Sequence, residues 1–297
     1  MQYLMALVPA LCWGSVGLVS GKLGGSVKQQ TLGMVFGATL FAIVFTLFNI
    51  NAFLASCSLM LWILGIISGF LWTVGQTFQF SAMKKLGISK AYPLSTGTQL
   101  IGNCIFGVLV FHEWKTGEQT AMGLCALIIL VLGTTFTAFR EKRLSDGTLS
   151  PEEKGDSKAA GVSGAIALSL STLGYCGNTV VITASGLDAK GLMFPQALGW
   201  LLGGAVFALR KSSFSKETFK NMLTGLSFGV GSLFLILSIA NLGLAISFSL
   251  SQTGAIISTL GPVLLLGEKK TKKELVFSMA GCVLIMIGGV LLGRIKY

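Results

Sequence analysis

Neutral polar side chains recur at helical spacing in apolar stretches of this sequence. Trp72, Gln76 and Gln79 fall at positions i, i+4 and i+7, which share one face of a helix. Ser95 and Gln99 are four residues apart in the next stretch. Amides and hydroxyls donate and accept hydrogen bonds without carrying a full charge. These faces suit a neutral polyhydroxylated solute, whose hydroxyls need donors and acceptors together.

Other apolar stretches contribute polar and aromatic side chains of the same neutral kind. An aromatic ring offers an apolar face that can cover the C–H face of a sugar. Equally, each amide could join two helices, and each aromatic ring could pack or anchor at a membrane interface. The further candidates are Trp13, Tyr92, Thr96, Asn103, Tyr175, Asn178, Thr179, Gln196, Trp200, Ser251 and Gln252.

Titratable groups are sparse in these stretches. His112 is the only histidine, so zinc sites that need several imidazoles are excluded, and we expect neither a metal nor another cofactor. No carboxylate lies deep in an apolar stretch, which argues against organic cations as substrates, because their carriers usually bury a counter-charge. Glu113 follows His112 at the end of one stretch. This pair is the candidate for proton exchange near neutral pH.

The composition indicates that membrane helices carry these residues. Of 297 residues, 53% are hydrophobic and 11% are charged, and the mean hydropathy is +0.79. A soluble domain has roughly a quarter of its residues charged. Soluble enzymes and nucleic-acid-binding proteins are therefore excluded. The net charge of +11 is assigned to loops that face anionic lipid at the cell membrane.

Apolar segments of about 20 residues match the thickness of a bilayer's hydrocarbon core. We therefore predict an all-α membrane protein with ten transmembrane helices. The predicted spans are residues 3–21, 31–49, 59–81, 91–111, 119–139, 160–183, 191–209, 222–240, 244–266 and 275–293.

The predicted spans fall into two sets of five. A charged linker at residues 140–158 separates a first half, 1–139, from a second half, 159–297. Leu86–Ser95 aligns with Leu242–Ser251 at an offset of 156 residues, which is typical of an internal repeat. Because five is odd, the two copies must have opposite orientations. The sequence therefore predicts a 5+5 inverted repeat.

The positions of lysine and arginine predict the orientation of the chain. Alternate loops between the predicted spans hold 18 of these residues, and all other positions hold 4. Lysine and arginine gather on the cytoplasmic side of membrane proteins. The linker is thus expected in the cytoplasm and both termini outside.

Glycines are spaced four apart in several predicted spans, and this spacing lets helices approach closely. The pairs are Gly33/Gly37, Gly65/Gly69, Gly199/Gly203 and Gly225/Gly229.

An ordered set of motifs runs along essentially the whole chain. The motifs are PALCWGS (9–15), SGFLWTVGQTFQFSA (68–82), PLSTGTQL (93–100), EW (113–114), STLGY (171–175), PQALG (195–199), SLSQTGAIIST (249–259) and LGEKKT (266–271). Taken together, this set resembles the glucose/ribose porter family of the drug/metabolite transporter superfamily.

The resemblance implies a ten-helix carrier that imports a sugar, expected to be glucose, with proton coupling. Carried over position by position, it assigns solute contacts to Trp13, Gln76, Gln79, Ser95, Thr96, Gln99, Tyr175, Gln196 and Gln252.

The leading hypothesis is thus a secondary active transporter that imports a monosaccharide by proton symport and alternating access. In this scheme Trp72 adds to the solute contacts, and Glu113 and His112 are the candidates for proton coupling. A facilitative sugar uniporter and a metabolite or drug exporter of the same fold remain alternatives. An intramembrane enzyme or a signalling protein is disfavoured, because the sequence contains neither a catalytic constellation nor a long extramembrane segment.

Overall fold

The structure is a computed structural model that describes residues 2–112, 114–139, 151–187, 189–242, 247 and 250–295. Within these ranges every regular element is helical, in agreement with the predicted all-α class. The α-helices are α1 (Gln2–Gly14), α2 (Val16–Leu23), α3 (Val27–Phe48), α4 (Ile50–Ser56), α5 (Leu59–Leu86), α6 (Ile88–Leu109), α7 (Gly117–Ala138), α8 (Pro151–Ser185), α9 (Ala189–Phe207), α10 (Lys216–Leu242), α11 (Gly254–Leu265) and α12 (Lys272–Arg294).

Seven helical segments among the described residues are long and apolar enough to cross a membrane, so the protein is a multi-pass membrane protein. They coincide with the predicted first, second, third, fifth, sixth, eighth and tenth spans. Their bounds are Tyr3–Leu23, Val27–Phe48, Leu59–Leu86, Gly117–Ala138, Ala159–Ser185, Lys216–Ile239 and Lys272–Arg294.

The remaining predicted spans are more polar or only partly described. Helices α6 and α9 coincide with the fourth and seventh spans and have 22 and 19 residues. Their hydropathy is lower because α6 carries Gln99 and Asn103, and α9 carries Lys190 and Gln196. The ninth span is represented by the short helix α11, and much of its first part lies outside the described residues. The ten-span arrangement stays a prediction.

Capping residues fix where several long helices begin. At the start of α3, the Ser26 hydroxyl accepts the Gln29 backbone N–H, and the Gln29 side chain accepts the Ser26 backbone N–H. This reciprocal box satisfies two N–H groups that have no partner inside the helix. The same box pairs Thr116 with Gln119 in α7 and Thr271 with Glu274 in α12.

The two halves of the chain interlock. Helix α5 packs against α8 and α9, while α10 packs against α1 and α3. Helix α6 contacts α8 and α11, and α7 packs along α12. Each long helix before the linker therefore has a packing partner after the linker, and the interior lies between the halves.

The four glycine pairs lie at two of these crossings, as their spacing predicted. A Cβ added to Gly37 of α3 would overlap the Met222 carbonyl of α10. A Cβ added to Gly69 of α5 would overlap the Gln196 carbonyl of α9. Close approach of two backbones without side chains between them gives extensive van der Waals contact. The glycines at the α3–α10 crossing are Gly33, Gly37, Gly225 and Gly229, and those at the α5–α9 crossing are Gly65, Gly69, Gly199 and Gly203.

Large apolar side chains cover the outer surface of the bundle. On α7 and α12, for example, Ile128 and Val276 are 62% and 65% exposed. A surface of this kind is stable against lipid tails and unfavourable in water. Together with the polar interior, it is the arrangement expected of a helix bundle in a bilayer.

We expect Gly37→Ala to lower the thermal stability of the purified protein, because the new methyl group must separate α3 from α10. Overpacking of this kind typically costs about 1–3 kcal/mol. Gly161→Ala in α8 is the matched control, since an added Cβ there meets nothing within 4 Å. Thermal melting in detergent, followed by fluorescence, measures both. Equal melting temperatures for the two variants would contradict a tight crossing.

Candidate functional site

A cavity of about 470 Å³ lies between the two halves. Its volume is in the range of small-molecule sites, about 300–1,000 Å³. Helices α1, α2, α3, α5 and α6 line it from the first half, and α8, α9, α10 and α11 with the residues just before α11 line it from the second. Any solute in this cavity would contact both halves at once.

Nine of the ten predicted solute-binding residues line this one cavity. They come from six separate helical regions, so the polarity pattern and the motifs identified residues that only the fold brings together. The nine are Trp13, Trp72, Gln76, Gln79, Thr96, Gln99, Tyr175, Gln196 and Gln252.

A chain of hydrogen bonds links the polar residues of α5, α6 and α8. The Tyr175 hydroxyl donates to Gln76 Oε1 over 2.7 Å and lies 3.2 Å from Gln79 Oε1. Gln79 Nε2 donates to the Ser95 hydroxyl oxygen over 2.8 Å, and Gln99 Nε2 donates to the same oxygen over 2.8 Å. Since a buried amide is costly unless it is paired, this chain holds each side chain in one orientation.

Ser95 is the one predicted contact residue that does not line the cavity. It is fully buried, and its hydroxyl oxygen accepts hydrogen bonds from Gln79 and Gln99, which do line the cavity. The sequence placed Ser95 in contact with the solute because it shares a four-residue spacing with Gln99. In the structure its hydroxyl instead fixes the orientation of both amides. Gln99 Oε1 is left without a partner in the described part of the chain.

On the other side of the cavity, α8 and α9 supply a second amide pair. Gln196 Nε2 donates to Asn178 Oδ1 over 3.2 Å, which leaves Gln196 Oε1 and Asn178 Nδ2 without hydrogen-bond partners among the described residues. The lining thus presents both an acceptor and a donor at this pair. Such a combination matches a hydroxyl group, which can donate and accept simultaneously.

Three further polar atoms of lining residues are buried without a hydrogen-bond partner among the described residues. They are Asn103 Oδ1, Trp200 Nε1 and Gln252 Oε1. Buried polar groups in native proteins are nearly always paired, because leaving one unpaired costs about 1–3 kcal/mol. These three groups are therefore candidates for hydrogen bonds to a polar occupant of the cavity.

Aromatic rings form one wall of the cavity. The Trp72 ring centroid lies 4.7 Å from that of Phe228 and 5.3 Å from that of Trp200. Trp13 stacks on Phe228 at 6.2 Å, and its indole N–H donates to the Phe228 carbonyl. Phe228 was missed from the sequence, because an apolar residue in an apolar span carries no polar signal. Its position beside three tryptophans emerges only when α1, α5, α9 and α10 pack together.

None of the residues that line the cavity in the described chain is charged. The described residues also contain no cluster of three histidine, cysteine or acidic side chains that could hold a metal. Of the two proton-coupling candidates, the structure describes only His112. His112 is an exposed residue with a φ of 50° just after α6 and does not line the cavity. Glu113 lies outside the described residues.

Comparison with known proteins gives a consistent family. A family described as "Sugar transport protein" matches residues 4–295. A protein of Enterococcus faecalis that is named as a sugar uptake protein is 46% identical over 296 residues, covering 100% of both chains. A protein of Priestia megaterium named as a glucose uptake protein, GlcU, is 38% identical over 296 residues and also covers 100% of this chain.

A solved crystal structure shares the fold. It is 15% identical to this chain and superimposes with a TM-score of 0.58, covering 99% of this chain and 97% of the other. The match of the family along residues 4–295, together with a relative that is 46% identical, leads to one conclusion: this chain belongs to the sugar transport protein family.

Proposed function

We propose that this protein imports a monosaccharide, with glucose as the leading substrate, through alternating access of the cavity between its two halves. The observation that carries the proposal is the lining itself, which combines uncharged amides and hydroxyls with three tryptophan rings. Relatives named as sugar and glucose uptake proteins support the same substrate class.

The chemistry of the lining favours a sugar over other solutes. Gln99, Gln196 and Asn178 offer neutral donors and acceptors that pair with hydroxyl groups. The Trp72 and Trp13 rings offer apolar faces for the C–H groups of a pyranose. A cationic drug or amine would lose its hydration without gaining a counter-charge, because the described lining contains no carboxylate. An exporter of organic cations is therefore disfavoured.

We further propose that the chain is a 5+5 inverted repeat, with halves 1–139 and 159–297 joined by the linker 140–158. The packing pattern supports this arrangement. All of these contacts join the two halves. Under the repeat, the contact of α5 with α8 corresponds to that of α10 with α1, and the contact of α9 with α5 corresponds to that of α3 with α10. Likewise α6 on α8 corresponds to α11 on α1. Two related halves that share one central site can rock against each other around it.

The orientation proposed from loop charges places the linker in the cytoplasm and both termini outside. Lys84, Lys85 and Lys269 then face the cytoplasm, together with the start of α10. The end of the bundle that carries these lysines is the linker-side end, and the opposite end of the bundle is the far end.

We expect the purified protein in proteoliposomes to accumulate labelled glucose, and to discriminate it from a panel of other monosaccharides, when an inward proton gradient is imposed. The reason is that a symporter couples the inward flow of protons to solute uptake against its concentration gradient, whereas a uniporter only equilibrates the solute. Uptake with and without the gradient measures substrate and coupling together. Equilibration without accumulation would identify a uniporter, and no movement of any sugar would contradict the proposed function.

Glu113→Gln is expected to abolish accumulation driven by the gradient but to preserve exchange of labelled for unlabelled sugar. Exchange needs alternating access without net proton movement, whereas coupling needs a group that changes its protonation. Glu118→Gln, at the start of α7, is the matched control for loss of one acidic charge nearby. Normal accumulation by Glu113→Gln would remove this residue from the mechanism.

Gln79→Ala and Gln99→Ala are each expected to weaken sugar binding about threefold to tenfold, because one net hydrogen bond is worth about 0.5–1.5 kcal/mol. Ser95→Ala should have a similar effect, since it frees both amides to rotate. Ser95→Thr keeps the hydroxyl group and should therefore weaken binding less than Ser95→Ala. Thr135→Ala on the exposed face of α7 is the control, because its hydroxyl bonds only to its own helix. Binding isotherms on folded protein measure each variant. Unchanged binding in both glutamine variants would place the sugar elsewhere.

A further inference from the structure

A carboxylate from the second half caps a helix of the first half. Glu268 lies in the loop between α11 and α12, and its Oε1 accepts the Ile88 backbone N–H over 2.6 Å. Its Oε2 accepts the Ser89 backbone N–H over 3.1 Å. These N–H groups belong to the first turn of α6, where a helix has unpaired donors and the positive end of its dipole.

The backbone on both sides of this contact is shaped for it. Gly87, directly before α6, has a φ of 85°, and Gly267, directly before Glu268, has a φ of 70°. Residues with a Cβ rarely adopt this conformation. A Cβ on Gly87 would also lie 3.2 Å from the Glu268 carboxylate. Glycine at position 87 thus leaves the first turn of α6 open to the carboxylate.

Lys270 adds a second contact at the same place. Its Nζ donates to the Ser89 carbonyl over 3.2 Å and to the Ser278 hydroxyl over 2.7 Å. Burial lowers the pKa of Lys270 from its ordinary value and is the largest influence on it. The Lys270 side chain is half-buried, and its two hydrogen bonds hold the loop against α6 and α12.

The linker-side end of the cavity is closed around this contact. A Cβ on Gly17 would lie 2.7 Å from the Ile88 side chain. A Cβ on Gly21 would lie 2.8 Å from the side chains of both Ile88 and Leu266. Helices α2 and α6 and the end of α11 therefore meet without room for a solute. Lys85 Nζ, which donates to the Ser163 carbonyl, joins the halves nearby.

The cavity extends away from this closure. Its lining includes Asn103 near the end of α6 and Ile182 near the end of α8. It also includes Leu192 near the start of α9 and Leu235 in the last third of α10. Asn103 is 15 residues along α6 from Ile88, or about 22 Å at 1.5 Å per residue. The lining thus reaches towards the far end of the bundle, whereas the linker-side end is sealed.

We propose that the Glu268 carboxylate on the first turn of α6 is the latch of the linker-side gate, which must release before the cavity can open to that side. This inference rests on the alternating access proposed above. The latch joins the two halves, so any rocking that opens this end must separate Glu268 from Ile88 and Ser89. Because Glu268 is partly exposed, water can replace its bonds when the gate opens.

The test measures access to the cavity from each side of the membrane and needs no sugar. A cysteine replaces Thr96, a cavity-lining residue, in full-length protein whose native cysteines are replaced by alanine. A membrane-impermeant maleimide is applied to sealed vesicles of both orientations. We expect labelling of the parent from the far end and little labelling from the linker-side end.

Glu268→Ala is expected to increase labelling from the linker-side end about tenfold, because bonds to a charged group that favour the closed state are lost. Glu268→Gln, which keeps the size of the side chain and can accept one of the two N–H groups, should give a smaller increase. Glu274→Gln is the matched control. It also removes one carboxylate near this loop, but that carboxylate accepts the Thr271 N–H within the start of its own helix.

Unchanged labelling from both faces in the Glu268 variants would overturn the latch. If Glu268→Ala fails to fold, Glu268→Gln decides by the same criterion. An increase of equal size in Glu274→Gln would also overturn it, because a general loss of charge would then explain the effect. A protein that shows the expected labelling but transports no sugar would keep the latch and contradict the proposed substrate.

Discussion

The need to pair every polar group inside an apolar environment governs this structure. Each amide in a membrane-spanning helix must bond to another protein group or to something held in the interior. Here Gln76, Gln79 and Gln99 meet this requirement by bonding to Tyr175 and Ser95 across three helices. The bonds that make these residues tolerable in a membrane also fix their orientation around a cavity. Stability and preorganisation of the site therefore have the same cause.

Close packing of the two halves is what brings these groups together. At the α3–α10 and α5–α9 crossings, glycines bring one backbone directly against another. In each crossing, one helix comes from the first half and the other from the second. Between the two crossings, Trp72, Trp200 and Phe228 fill the space and form the aromatic wall. Glycines thus allow the backbones to approach where the helices cross, and aromatic side chains of the same helices line the cavity.

Helical periodicity was enough to predict part of the cavity lining. The spacing of Trp72, Gln76 and Gln79 placed them on one face, and that face lines the cavity. Periodicity could not distinguish a residue in the lining from one behind it, so Ser95 was assigned a direct contact. Nor could it identify Phe228, whose apolar side chain is typical of any span. The contact of Glu268 with α6 links residues 180 positions apart, which helical spacing within one span cannot predict.

The described cavity lining is neutral, whereas a charged contact joins the two halves at the linker-side end. In the proposed carrier, the first would bind the solute and the second would hold a conformation. A binding site that is neutral can exchange a sugar for water at small cost, because hydroxyl groups and water make similar hydrogen bonds. A contact that holds one conformation needs hydrogen bonds that are stronger than those between neutral groups. The Glu268 carboxylate provides such bonds at the N-terminus of α6. Placing that charge at the end of the bundle leaves it accessible to water when it is released. The same charge in the middle of the bundle would have to be desolvated in every transport cycle. A neutral cavity lining and a charged contact at the end of the bundle therefore fit the proposed alternating access.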